Sequence, residues 1–76
     1  MKAISDPEYR ELLRVLVNAR QSAGMTQQTV ANQLGRPQSF VSKYERGERR
    51  LDVVEFLEVA RAIAIDPFRL LKELDE

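Results

Sequence analysis

The 76-residue sequence contains no cysteine and no histidine. Without cysteine there is no disulfide framework and no thiolate metal site, and without histidine the commonest metal ligand and near-neutral acid-base group is missing. Both absences count against an enzyme, and we expect no metal and no cofactor. No window approaches the roughly 18 apolar residues of a membrane span, and the first seven residues contain one lysine and no apolar run. We therefore expect a soluble, cytoplasmic protein of the bacterial or phage type.

The short length bounds the architecture. Seventy-six residues fit one domain, 1–76, and a domain of this size buries a small fraction of its surface. Its stability must therefore come from compact helix packing, from a partner, or from both. A homodimer is consistent with that limit.

The charges are balanced in number but not in position. Twelve Lys and Arg face twelve Asp and Glu, whereas nucleic-acid-binding domains are often strongly basic. Residues 27–50, however, contain five basic and two acidic groups, and residues 51–76 contain three and seven. Because charges more than about 10 Å apart are screened by salt, the middle of the chain can present a basic face despite the acidic end.

Five segments are predicted to be helical, and the first carries apolar residues at the spacing i, i+3, i+4 and i+7. Capping residues open four of these segments, and two of the caps precede a proline, which the first helical turn tolerates. No window alternates with period two, so no strand is expected. The predicted fold class is all-α and compact, with helices at Asp6 to about Gly24, 26–34, about 37–45, about 52–64 and about 66–74.

The third helix has an unusual polar face. At about 100° per residue, its polar side chains fall within an arc of about 140° that contains no acid. Amides, hydroxyls and cations of this kind match DNA: Gln can pair bidentately with adenine, Lys can donate to guanine or phosphate, and Ser can do either. Phe40, at the border of the arc, either touches a thymine methyl or folds back onto the core. The arc contains Gln38, Ser39, Ser42, Lys43 and Arg46.

These residues carry a resemblance to a known family. Thr26-Gln27, Ala31, Leu34-Gly35, Gln38-Ser39, Val41-Ser42, Glu45-Arg46-Gly47 and the later Val59 to Ile63 resemble the lambda-repressor-like helix-turn-helix family, also called the Xre or Cro-type family. The likeness covers roughly residues 9–74. It implies a compact five-helix DNA-binding domain whose helix-turn-helix spans about 26–47, with the third helix as the recognition helix. Members bind operator DNA, usually as dimers on inverted repeats.

The resemblance assigns roles to individual residues. Gln38 is expected to contact a base, adenine in particular, supplemented by Ser39, Ser42, Lys43 and, at the rim, Phe40. Arg20 and Glu45 are expected to form a structural ion pair. The remaining expected contacts are with the DNA backbone, from Thr26, Gln27, Arg36, Arg46, Arg49 and Arg50.

Simpler interpretations accompany these assignments. The polar arc is also compatible with a solvated helix face, and Arg36, Arg49 and Arg50 with ordinary solubilising charge. The chain also departs from the family pattern at Pro37, where many relatives have a capping Ser or Thr, and at Ala64, where a glycine is common.

Two functions of different classes follow. The first is a dimeric, sequence-specific regulator, a repressor or autoregulator on a near-palindromic operator, with Val54, Leu70 and Leu74 as candidate dimer contacts. The regulator would also contact polymerase or another protein. The alternative is a protein-interaction module, such as an antitoxin or a restriction-modification controller, that uses the acidic C-terminal third to bind a partner such as a toxin. An enzyme ranks third, because Ser39, Ser42 and Lys43 have no histidine base beside them.

Overall fold

The structure is a computed structural model that describes residues 6–75. Within that range the chain forms five helices and no strand, so the predicted all-α class is confirmed. Every helix lies within about two residues of its predicted position. The helices are α1 (Pro7–Ser22), α2 (Gln27–Leu34), α3 (Gln38–Glu45), α4 (Val53–Ile63) and α5 (Pro67–Asp75).

Four helices begin at side chains that accept a hydrogen bond from the first turn, and for α5 this side chain is Asp66, which accepts from the backbone N–H of Phe68 at 2.9 Å. Asp6 caps α1 by accepting from the backbone N–H of Tyr9 at 3.0 Å, and Thr26 caps α2 in the same way. Asp52 caps α4, and Glu55 reaches back to accept from the Asp52 N–H at 3.0 Å, which completes a capping box. Local sequence therefore determines where these helices start.

The two departures from the family pattern have visible consequences. Pro37 is the N-cap of α3 and offers no side-chain hydrogen bond, so the first turn of α3 lacks the cap that Ser or Thr would supply. Ala64 follows α4 with φ 62°, in the left-handed region that favours glycine. A residue with a Cβ in that conformation costs roughly 1 to 2 kcal/mol.

The core lies where the five helices meet. Helix α1 packs against α3, α4 and α5, and α2 packs against α3 and α4. Gly35, at φ 67°, makes the left-handed turn that brings α3 back across α2. The largest side chains that are almost completely buried are Leu16, Val30, Val41, Tyr44, Val59 and Leu70.

Candidate nucleic-acid interface

Helix α3 divides cleanly into an inner and an outer face. Phe40, Val41 and Tyr44 are buried on the inner side. On the outer side lies a polar surface that we call the α3 ridge. Its members are Gln38, Ser39, Lys43 and Arg46, which are exposed, and Ser42, which is half-buried. The structure thus places the predicted polar arc together on the solvent side of the domain.

A chain of hydrogen bonds links the ridge to the interior. The side-chain amide of Gln38 donates to Oε1 of Gln27 at 2.6 Å, and the amide of Gln27 donates to Oε1 of Glu45 at 2.8 Å. Gln27 therefore lies between the exposed amide at the start of α3 and the carboxylate at its end. Sequence reasoning assigned Gln27 to phosphate alone and did not anticipate this link.

The chain ends at an ion pair between α1 and α3. Arg20 donates from Nε to Oε2 of Glu45 at 2.7 Å and from Nη2 to Oε1 at 3.1 Å. Its third nitrogen, Nη1, donates to the carbonyl of Met25 at 2.8 Å. The two side chains are only 11% and 7% exposed, so the pair is shielded from solvent. The expected Arg20–Glu45 contact is thus present and joins α1, the turn before α2, and α3.

Phe40 does not lie among the base-facing side chains. It is 8% exposed and packs edge-to-face on Tyr44, with ring centroids 5.6 Å apart. The guanidinium carbons of Arg36 and Arg49 lie 4.4 and 4.8 Å from its ring centroid and cover it. The expectation of a thymine contact was therefore wrong, because the ring gains more from burial and two cation–π contacts than from solvent exposure.

Glu55, which was not among the expected site residues, pairs with both Arg36 and Arg49. Arg49 donates to the two oxygens of Glu55 at 3.0 and 2.8 Å, and Nη2 of Arg36 lies 3.6 Å from Oε2. Hydrogen bonds from Arg49 and from the Asp52 backbone lower the pKa of Glu55 to about 2. The spacing Asp52-x-x-Glu55 is a capping-box pattern and could have identified this residue.

The remaining expected backbone-contacting residues lie around the ridge. Arg46 is exposed at the end of α3, 3.3 Å from Glu48. Arg50 stacks over the Tyr9 ring at 4.4 Å, and the Tyr9 hydroxyl accepts from the Leu51 N–H at 2.9 Å. The Thr26 hydroxyl is engaged in capping α2. Most of these side chains are thus already oriented by protein contacts before any ligand binds.

Comparison with known proteins identifies the arrangement. The helix-turn-helix family matches residues 16–70. An XRE-family like protein from Pseudomonas syringae pv. tomato is 54% identical, with a TM-score of 0.87 over 90% of this chain and 83% of that chain. This chain belongs to the XRE-type helix-turn-helix family.

Two further solved structures share the helix-turn-helix fold. The restriction-modification controller protein C.AhdI from Aeromonas hydrophila is 31% identical, with a TM-score of 0.77 over 86% of this chain and 98% of that chain. The clp gene regulator ClgR from C. glutamicum is 20% identical, with a TM-score of 0.82 over 93% and 92%, and shows the fold alone. A search of curated proteins gave no match. The family is one of DNA-binding regulators, and this chain has their fold.

The apolar residues exposed on this helix-turn-helix domain are not the same set as those expected at a dimer contact. Leu70 is 1% exposed and belongs to the core of its own chain, so it is not available to a partner, and that expectation was wrong. The other two predicted residues are accessible: Val54 is 65% exposed and Leu74 half-buried. Large apolar side chains that were not predicted to contact a partner lie on the surface as well: Val53, Phe68 and Leu71.

Within residues 6–75, the helix-turn-helix domain has no group of three or more carboxylates placed to hold a metal ion. None of its described helices is both long and apolar enough to cross a membrane.

Proposed function

We propose that this chain is a sequence-specific, double-stranded DNA-binding transcriptional regulator, acting as a dimeric repressor or autoregulator on a near-palindromic operator. The observation that carries the proposal is the α3 ridge. All its members except the half-buried Ser42 are exposed, it contains no acid, and its amide, hydroxyl and cationic groups match the edges of bases in the major groove.

In this proposal, base contacts come from Gln38, Ser39, Ser42 and Lys43. Gln27 and Thr26 lie at the start of α2, where free backbone N–H groups favour a phosphate. Arg46 and Arg50 are exposed at either side of the loop that follows α3 and reach flanking phosphates. Glu55 holds Arg36 and Arg49 against the Phe40 ring. The two guanidinium groups and the carboxylate sum to a net charge of +1, which attracts the DNA backbone.

The size of the domain supports a twofold arrangement. Its longest extents are 30 Å, which is of the same order as the roughly 34 Å between half-sites one DNA turn apart. We define the α5 patch as Phe68, Leu71 and Leu74, which line one groove. We propose that the second copy contacts this patch and Val54. Phe68 is 78% exposed, and pairing with a second copy would remove this surface from water.

Selection of bound duplexes from a random DNA pool tests the proposal. We expect an enriched inverted repeat with half-sites one helical turn apart. Gln38→Ala should retain the folded state and lose the base preference at one position of each half-site. Failure to enrich any sequence would overturn the proposal.

The salt dependence provides an independent test. Binding through several phosphates should weaken on the order of a thousandfold between 50 and 200 mM salt. A salt-insensitive interaction that tolerates Gln38→Ala would instead favour a protein-interaction module that binds through the acidic C-terminal third.

Control of a restriction-modification operon is a specific candidate role. It is favoured by the 31% identity to a restriction-modification controller over nearly the whole length of that protein. An operator for this chain upstream of a linked endonuclease gene would support the role, and its absence there would exclude it.

A further inference from the structure

We propose that Glu45 determines which purine the protein reads, by fixing the orientation of the Gln38 amide through Gln27. This inference rests on the proposed function, because it concerns the base that Gln38 contacts. It adds a residue that does not itself reach the DNA.

The first step is the chemistry of Glu45. An ionised carboxylate only accepts hydrogen bonds. Arg20 donates to both of its oxygens, and the guanidinium is itself anchored on the carbonyl of Met25. Glu45 is therefore an acceptor held in one place, with a side chain only 7% exposed.

The second step is the orientation of Gln27. One of its two terminal atoms lies 2.8 Å from Oε1 of Glu45, and only the amide nitrogen can make a hydrogen bond there. The carbonyl oxygen of Gln27 must then point the other way, toward Gln38. A glutamine amide in solvent can exchange the positions of its nitrogen and oxygen at little cost. The same exchange in Gln27 would place its oxygen against the carboxylate of Glu45, where neither atom can donate.

The third step is the orientation of Gln38. Because Gln27 presents an oxygen, Gln38 must donate to it from Nε2, at 2.6 Å. One N–H and the carbonyl oxygen of Gln38 remain for the DNA. That pair, a donor beside an acceptor, complements the N7 acceptor and N6 donor of adenine.

The opposite orientation would favour the other purine. If Gln27 presented its nitrogen, Gln38 would accept with its oxygen, and both of its N–H groups would face the DNA. Two donors complement guanine, which offers acceptors at N7 and O6. The acceptor-only character of Glu45 thus favours adenine over guanine two residues away along the hydrogen-bond chain.

The test compares two duplexes that differ only by adenine or guanine at the position of the selected operator that Gln38→Ala identifies. Wild-type protein should prefer adenine by about tenfold or more at fixed salt. Glu45→Gln places an amide that can either donate or accept, so the preference should fall to within about threefold. An unchanged ratio in a folded Glu45→Gln variant would overturn the inference.

A double variant separates orientation from stability. In Gln27→Glu with Glu45→Gln, residue 27 becomes the acceptor-only group, and Gln38 must donate to it again. We expect the adenine preference to return, even though a carboxylate beside the DNA backbone lowers affinity for both duplexes. A preference that stays lost in a folded double variant would contradict the inference.

Two further variants complete the design. Gln27→Met removes the hydrogen bonds between Gln38 and Glu45 and leaves the Arg20–Glu45 pair intact, so it should also reduce the preference for adenine over guanine. If Glu45→Gln does not fold, Gln27→Met tests the inference in its place. Glu11→Gln makes the same change in a different arginine-paired carboxylate, on the exposed side of α1, and should leave the ratio near the wild-type value. If wild-type protein selects no operator at all, the proposed function fails and this inference with it; if wild type selects one and the variants keep its adenine preference, only the inference fails.

Discussion

Arg49 donates two hydrogen bonds to the Glu55 carboxylate, at 3.0 and 2.8 Å, and its guanidinium carbon lies 4.8 Å from the centroid of the Phe40 ring. Glu55 is also the reciprocal partner in the capping box of α4. One carboxylate therefore connects the start of α4, the loop after α3 and the underside of α3. Loss of its charge should affect all three.

The first prediction concerns the pH dependence of stability. The folded protein lowers the pKa of Glu55 from 4.5 to about 2, so its contribution is complete above about pH 4.5 and is lost as the pH falls toward 2. Glu55→Gln should be less stable than wild type at neutral pH, and the difference should shrink over that acidic window. Urea unfolding at a series of pH values measures it.

Glu11→Gln is the matched control for that series. Glu11 pairs with Arg14 on the exposed side of α1, where an ion pair contributes little. Its unfolding curve should follow wild type closely at neutral pH. A constant difference between Glu55→Gln and wild type from pH 7 to pH 2 would contradict the assigned role of Glu55.

The second prediction tests the placement of Phe40. Because the ring is buried beneath two guanidinium groups, Phe40→Ala should lower the free energy of unfolding by about 3 kcal/mol or more. Gln38→Ala, on the exposed side of the same helix, should change it by less than about 0.5 kcal/mol. Equal stability of the two variants in urea titrations would contradict the burial of Phe40.

Comparison of these two residues shows what the sequence could predict. Gln38 is a member of the polar arc, and helical periodicity alone places it outside. Phe40 lies at the border of the arc, where periodicity allows either side. Its burial depends on Arg36 and Arg49, which meet only when the turn before α3 and the loop after it have folded.

The same limit applies to α5 and to the hydrogen-bond chain. The starts of the helices were predictable because a cap such as Asp6 or Asp52 acts within three residues. In contrast, which leucine of α5 faces the core depends on packing against α1, so Leu70 was assigned to the wrong side. The contact between Gln27 and Glu45 joins residues that are 18 positions apart, and no local sequence pattern predicts it.

The third prediction concerns a buried hydroxyl. Tyr44 is fully buried, and within residues 6–75 its hydroxyl has no hydrogen-bond partner. Tyr44→Phe removes an unsatisfied polar group, so we expect a gain of about 1 kcal/mol in the free energy of unfolding. Burial also raises the pKa of Tyr44, so the wild type should lose stability above about pH 10, where the unfolded chain ionises and this group does not.

Tyr9→Phe provides the contrast. The Tyr9 hydroxyl accepts from the Leu51 N–H, so removal of its oxygen should cost about 1 to 2 kcal/mol. Thermal unfolding followed by circular dichroism compares the two variants. If Tyr44→Phe proved as destabilising as Tyr9→Phe, the Tyr44 hydroxyl would have a partner in solution.

The fourth prediction concerns the left-handed residue after α4. Ala64→Gly relieves the Cβ at φ 62° and should raise the free energy of unfolding by about 1 kcal/mol. Ala62→Gly, inside the same helix, should instead lower it by about 0.5 to 1 kcal/mol. Opposite signs in denaturant titrations would support the assigned strain, and destabilisation by both would refute it.

The last prediction tests the α5 patch as the dimer contact. Phe68 is 78% exposed in the single chain, so Phe68→Ser should leave the stability of the monomer nearly unchanged. If a second copy covers the ring, the variant should shift from dimer to monomer in sedimentation equilibrium, because the lost apolar contact weakens association. The same variant should bind a full inverted repeat much less tightly and a single half-site about as well as wild type. Phe68→Leu keeps an apolar side chain and should preserve the dimer, whereas a Phe68→Ser variant that remains dimeric at micromolar concentration would move the interface away from α5.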